Sequence, residues 1–141
     1  MTIINKQISM LEAIYKKRIE FSGELEELSK IICRDFDLGD FLSCKIILIG
    51  YEDFNFSLKT RKGKYLVKIF SNIRTLDDCK RNVDVVVKSL EAGVFTPKLY
   101  KSEQGFLHLL KNGQSSLRLC VMDLLMVKIF LPQESKLQRN I

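Results

Sequence analysis

Long apolar runs are missing from this sequence of 141 residues. The longest candidate, residues 119–125, contains Asp123 and falls well short of the ~18 residues that a membrane-spanning helix needs. Residues 1–6 also lack the apolar block and the small-residue cleavage site of a signal peptide. We therefore expect a cytoplasmic protein with no membrane partner.

Histidine and paired cysteines are also scarce. His108 is the only histidine, so neither a Ser-His-Asp triad nor a metal site with several histidines is expected, and its apolar neighbours favour a strand residue. The four cysteines, Cys33, Cys44, Cys79 and Cys120, form no C-x-x-C pair and match no zinc spacing. We interpret them as buried free thiols in a reducing compartment and predict no metal site.

Positive charge is in modest excess and is dispersed along the sequence. The 23 Lys+Arg residues exceed the 17 Asp+Glu residues by six, and the densest basic runs are residues 16–18 and 61–64. No block of five or six like charges exists, so a nucleic-acid-binding tail is not indicated. A net charge of +6 suits an anionic ligand such as a nucleotide, and equally nucleic acid.

The remaining composition is that of an ordinary globular domain. Hydrophobic residues make up 46% and charged residues 28%, which excludes disordered, collagen-like and coiled-coil proteins. A chain of this length forms one domain and buries roughly 70% of the surface that it exposes when unfolded. A hydrophobic core is therefore expected without disulfides or metals.

Hydrophobic spacing predicts an α+β fold. Two N-terminal helices cover residues 9–19 and a second segment that begins at the N-cap Ser22 and ends near residues 38–40. Alternating or β-branched runs predict five strands, at residues 43–49, 55–60, 64–70, 105–110 and 117–124. After the third strand, Thr75 and Asp78 form a capping box for a helix that Gly93 ends. The prediction is a five-stranded antiparallel sheet with one helix after strand three, preceded by two helices.

One lysine of the third predicted strand is a candidate for phosphate binding. Lys68 lies between the apolar residues Val67 and Ile69, which shield it. Such a lysine can reach the α- and β-phosphates of ATP as a point charge. The alternative is a lysine that points outward from an edge strand, but the order of the surrounding elements favours phosphate binding.

Four stretches carry a resemblance to a known family. They are residues 50–56, 63–69, 90–93 with Pro97, and 119–123. In order and spacing they resemble the N-terminal lobe of the aminoglycoside phosphotransferase and choline kinase superfamily, which are ATP-dependent small-molecule kinases with a protein-kinase-like fold. The resemblance covers residues 46–125 and implies three parts: an N-terminal helical segment (1–42), a kinase-like N-lobe (43–125) and a divergent tail (126–141).

The resemblance implies that ATP is the ligand. The loop at residues 50–54 would cover its phosphates, Lys68 would bind the α- and β-phosphates, and Met122 would line the adenine pocket. Backbone groups of Asp123 and Leu125 would meet the adenine edge. The complete set of residues that the resemblance assigns to nucleotide binding is Gly50, Tyr51, Glu52, Asp53, Phe54, Lys68, Asp84, Met122, Asp123 and Leu125.

Two departures from the family limit what the chain is expected to do. The family's helix glutamate, which pairs with the lysine, is matched here by Val83, and Asp84 is the nearest acid; it either replaces the glutamate or is a surface residue. The family's H-x-D catalytic loop and magnesium ligands have no counterpart, because the one histidine is followed by two leucines. We therefore assign no catalytic residue and no metal ligand.

We interpret the chain as the nucleotide-binding small lobe of an ATP-dependent small-molecule kinase, inactive as it stands. In the full-length family, Mg²⁺-ATP would phosphorylate a small polar metabolite that bears a hydroxyl group. We expect the isolated lobe to self-associate through an apolar patch around Ile49, Met122 and Leu124.

The alternative is a non-enzymatic, small basic α+β module that binds nucleic acid or a protein partner. The net charge of +6 favours this alternative. Aromatic residues are not interleaved with basic ones on any predicted strand, as an RNA-binding sheet requires, so nucleic acid is the less expected ligand.

Overall fold

The computed structural model of the protein describes residues 3–48, 52–94 and 96–124. Within these ranges the fold is α+β, with three helices and one antiparallel sheet of six strands. The elements in chain order are α1 (Ile3–Lys17), α2 (Leu25–Asp35), β1 (Phe41–Ile47), β2 (Phe54–Thr60), β3 (Lys64–Ile69), α3 (Leu76–Glu91), β4 (Leu99–Tyr100), β5 (His108–Asn112) and β6 (Ser115–Asp123).

The sheet follows the order β1-β2-β3-β6-β4, and β5 also pairs with β6. The strands β4 and β5 lie one after the other along the same edge of β6, opposite residues 121–122 and 115–119 respectively. The predicted number of five strands is therefore wrong by one. The additional strand, β4, has two residues, too few to show the alternation by which a strand is detected in a sequence.

The two faces of the sheet carry two separate apolar cores. Neighbouring residues of a strand point to opposite faces, so Val67 and Ile69 face one core while Phe70 faces the other. The larger core contains the buried apolar residues of α2, β2, β3 and β6. In the smaller core, Cys79 and Val83 of α3 pack with Phe70, Leu99 and Cys120.

The third helix confirms its predicted cap, whereas the second begins later than predicted. Thr75 Oγ1 accepts a hydrogen bond from the Asp78 amide, and the Asp78 carboxylate accepts one from the Thr75 amide. The N-cap of α2 is Glu24 rather than Ser22, and its side chain makes no capping hydrogen bond. The acidic residues of the first turn, Glu26 and Glu27, stabilise this start through the helix dipole instead.

The remaining predicted boundaries differ in detail. The first helix extends to Ile3, the first strand is Phe41–Ile47, and β5 begins at His108 rather than at residue 105. Gly105 adopts a φ of 111° and pairs with Ser102 in a tight turn, so it does not belong to the extended strand that follows. The predicted tail, residues 126–141, lies outside the described residues.

No helix within the described ranges has both the length and the apolar character needed to cross a bilayer. All four cysteines are free: Cys33, Cys79 and Cys120 are buried, and Cys44 is half-buried. Of the apolar patch predicted from the sequence, Met122 and Leu124 are half-buried and Ile49 lies outside the described residues, so self-association stays a prediction.

Candidate nucleotide site

Lys68 lies in the interior of the sheet. The strand that carries it, β3, is hydrogen-bonded to β2 on one side and to β6 on the other, and Lys68 lies opposite Asn55 and Cys120. The alternative of a lysine on an edge strand is therefore wrong. The Lys68 side chain points to the face that α3 covers and is 32% exposed. A lysine so placed keeps a buried stem and an ammonium group that a ligand can reach.

The carboxylate beside Lys68 comes from the segment before β2. Lys68 Nζ lies 3.6 Å from Asp53 Oδ2. Asp53 is 7% exposed and accepts hydrogen bonds from the Ser71 amide at 3.0 Å and from Arg74 Nε at 3.0 Å and Nη2 at 3.3 Å. The hydrogen bond from Arg74 to Asp53 is the main cause that raises the pKa of the Arg74 guanidinium above its usual value. Asp53 is thus a fixed anion between two cations.

Helix α3 presents apolar and amide side chains to Lys68 rather than an acid. A small cleft of about 50 Å³ is lined by Lys68, Asn82, Val83, Met122 and others. Val83, which the resemblance matches to a glutamate, is buried, and Asp84 is exposed and does not line this cleft. The structure therefore does not bring Asp84 together with Lys68.

The floor of the cleft is neutral. Cys120 lies opposite Lys68 on the neighbouring strand, and its burial raises the pKa of the thiol to about 12. The positive charge of Lys68 opposes this shift but does not cancel it. Burial also raises the pKa of the Cys79 thiol, which lies in the same core. Both thiols stay protonated near neutral pH, so they act as small apolar groups.

Met122 and Asp123 are neighbours at the end of β6. Met122 lines the cleft with Lys68 and Asp123 does not; the role of Met122 in an adenine pocket stays a prediction. The Asp123 amide donates to the Lys98 carbonyl at 3.0 Å, and its carboxylate accepts from the Tyr100 hydroxyl at 2.5 Å. Burial, followed by this hydrogen bond, raises the pKa of Tyr100 to about 12. The Asp123 carboxylate is thus hydrogen-bonded to Tyr100 of β4.

The predicted phosphate-covering loop is described in part. Glu52 is exposed and lies 3.2 Å from Arg74 Nη2, whereas the Phe54 side chain is fully buried in the larger core. Phe54 therefore offers no exposed surface to a ligand. Gly50, Tyr51 and Leu125 lie outside the described residues.

A second polar cluster joins α2 to the β4–β5 connection. His108 is buried in β5; its Nε2–H donates to the Asp35 carboxylate at 3.0 Å, and its Nδ1 lies 2.6 Å from Ser102 Oγ. Ser, His and Asp are the residue types of a hydrolase triad, and such a group was not expected from a sequence with one histidine. The Ser102 hydroxyl also accepts a hydrogen bond from the Gln104 amide and is thereby held in its own turn. Asp35 is 73 residues from His108, so no local sequence pattern predicts the contact.

Larger surface hollows lie away from Lys68. One of about 380 Å³ is lined by Arg34, Asp35, Glu103, Gln104 and His108, and one of about 400 Å³ lies beside the end of α2. Charged and polar residues make up most of the lining of both hollows, and neither contains Lys68. Among the described residues, no group of three or more His, Cys, Asp or Glu side chains is placed to hold a metal ion.

Comparison with known proteins gives two partial matches. No family model matches the chain. Over 80 residues, 57% of this chain and 24% of the relative, it is 30% identical to a homoserine kinase of Bradyrhizobium sp. (strain ORS 278). Over 89 residues it is 27% identical to a homoserine kinase of Bradyrhizobium sp. (strain BTAi1), covering 63% of this chain and 27% of the relative. The chain spans about a quarter of the length of the curated relatives it matches, and over that part it is similar to small-molecule kinases.

Proposed function

We propose that this protein is the nucleotide-binding small lobe of an ATP-dependent small-molecule kinase. The observation that carries the proposal is the position of Lys68: an ammonium group on a central strand, next to a cleft that Met122 also lines. A lysine with a buried stem and a reachable head group is suited to the α- and β-phosphates of ATP. The partial similarity to homoserine kinases supports the same chemistry.

The proposed acceptor is a small polar metabolite with a hydroxyl group. The matched relatives are named for homoserine, which carries a primary hydroxyl, so an alcohol acceptor is the class that we infer. In a complete kinase, Mg²⁺ neutralises the charge that develops on the transferred phosphoryl group. The sequence contains no H-x-D loop, so we expect the 141-residue chain to bind ATP without transferring its phosphate.

The proposed ligand contacts divide between side chains and backbone. Lys68 would bind the α- and β-phosphates, and Met122 would contact the adenine ring. Backbone groups of Asp123 and Leu125 would hold the adenine edge, where a carbonyl and an amide match the donor and acceptor of the base. The described cleft, about 50 Å³, is much smaller than the ~300 Å³ of a typical ligand pocket. ATP would therefore lie against one wall and bind weakly.

Titration of the ¹⁵N-labelled protein with ATP tests the proposal. We expect chemical-shift changes at Lys68, Met122 and Asp123. The rival outcome is a response centred on the basic turn at residues 61–64, which would indicate nonspecific attraction of an anion and would favour the basic binding module. Two charges of that turn are already partnered, because Arg61 and Lys62 lie 3.6 Å from Asp40 and Asp37 respectively.

A further inference from the structure

We propose that Asp53 positions Lys68 for phosphate, in place of an acid on the helix; this inference rests on the proposed function. The sequence resemblance counted Asp53 among the residues that cover the phosphates. The structure places its carboxylate 3.6 Å from Lys68 Nζ. A carboxylate at that distance attracts the ammonium group, but it would repel a phosphate that approached it directly. Asp53 is therefore a partner of the lysine and not a ligand of ATP.

Asp53 is held rigidly enough to fix another side chain. Its carboxylate is 8% exposed and accepts hydrogen bonds from the Ser71 amide and from two nitrogens of Arg74. Arg18 Nη1 also donates to the Asp53 carbonyl at 3.2 Å. Charge-assisted hydrogen bonds from a planar guanidinium fix the direction of a carboxylate as well as its position.

The contact leaves Lys68 able to bind phosphate. At 3.6 Å, Nζ and Oδ2 form an ion pair that is longer than a hydrogen bond. An ammonium group has three N–H donors, so its donors remain available to phosphate oxygens. The Phe70 ring, whose centroid is 5.6 Å from Nζ, lies beside the same head group.

The helix cannot supply this carboxylate. Val83 occupies the position of the family's glutamate and is 6% exposed, within the apolar core. Asn82 lines the cleft without a charge, and Asp84 is exposed. The positioning charge therefore comes from the segment before β2.

A double-mutant cycle in ATP affinity tests this role. In the wild-type background we expect Lys68→Met to weaken ATP binding by about fivefold, the upper range for an exposed ion pair. In an Asp53→Asn background Lys68 is no longer directed at the phosphates, so the same substitution should change affinity by less than about 1.5-fold. The cycle cancels the general gain in affinity that removal of any negative charge would cause.

Glu52→Gln is the matched control background. Glu52 also pairs with Arg74, at 3.2 Å, and its removal lowers the negative charge equally. In that background the effect of Lys68→Met should stay near fivefold. An equal effect of Lys68→Met in the wild-type and Asp53→Asn backgrounds would overturn the positioning role alone. No effect of Lys68→Met in the wild type would refute the proposed function itself.

A second measurement needs no substitution at Asp53. Because a fixed lysine has two inequivalent ε-methylene protons, NMR of the ligand-free wild type should resolve two Hε signals for Lys68. Lys64, exposed at the start of β3, should show one averaged signal and serves as the internal control. A single averaged Lys68 signal would overturn the inference even if the Asp53→Asn protein did not fold.

Discussion

Replacing His108 by Leu should destabilise the protein markedly while preserving volume. His108 is 4% exposed and contacts Asp35 at 3.0 Å and Ser102 at 2.6 Å, thereby connecting α2 with the β4–β5 connection. The Phe36 ring lies 4.9 Å from the imidazole, so a leucine would still find an apolar neighbour. What the substitution removes is the pair of hydrogen bonds, and it leaves the Asp35 carboxylate, 19% exposed, facing a methyl group.

The expected loss in free energy of unfolding follows from those two contacts. A hydrogen bond to a charged partner contributes ~1.5–3 kcal/mol and a neutral one ~1 kcal/mol. Burial of the leucine side chain offsets part of this loss, so the net decrease in stability is about 2 kcal/mol. For 141 residues at ~2.1 cal/mol/K each, the unfolding entropy is ~0.3 kcal/mol/K, so Tm should fall by about 7 °C.

Calorimetry at constant pH measures this change in Tm. Asp35 and Asp37, two residues apart, provide a matched pair of substitutions. Asp35→Asn, which weakens the contact to His108, should lower Tm, whereas Asp37→Asn should not. Asp37 is 94% exposed, and its ion pair with Lys62 is worth at most ~0.5 kcal/mol. If His108→Leu shifted Tm by less than about 2 °C, or if the two asparagine variants behaved alike, the account of this cluster would be refuted.

Two further predictions concern protonation. Because the pKa of Tyr100 is raised to about 12 in the folded protein, its contribution to stability is complete below pH ~10, the unfolded value, and is lost as pH rises towards 12. Urea unfolding should show this loss in the wild type and not in Tyr100→Phe; identical pH profiles would contradict it. Burial raises the pKa of Cys33, Cys79 and Cys120. Iodoacetamide at pH 8 should therefore label Cys44 first, and preferential labelling of a buried thiol, located by mass spectrometry, would contradict the described core.

Local patterns predicted the parts of the fold that depend on neighbouring residues. The capping box of Thr75 and Asp78 acts within one turn, and the apolar spacing of α3 gives its buried face directly. The sequence misplaced the start of α2, because Ser22 is a good cap by residue type whereas the helix begins after Glu24. The short strand β4 was missed because its two residues are ordered by pairing with β6.

The sequence indicated single residues of the candidate site but not the contacts between them. Lys68 and Met122 line one cleft, and the nucleotide-binding roles that the resemblance gives them stay predictions. The partner of Lys68 was not predictable, because Asp53 and Lys68 lie on different segments that only the folded sheet brings together, and the expected acid was on the helix. The cluster of Asp35, Ser102 and His108 was missed for the same reason: it forms only when distant segments pack.

The central claim is that Lys68 contacts the phosphates of ATP, and the direct test is the ATP affinity of two lysine variants of β3. The wild type should bind with a Kd no tighter than ~1 mM, because one wall of a site supplies only part of the contacts. Lys68→Met should weaken binding about fivefold, whereas Lys64→Met, an equal loss of charge at an exposed position, should change it by less than about 1.5-fold. Equal effects of the two substitutions in NMR titrations would contradict the account.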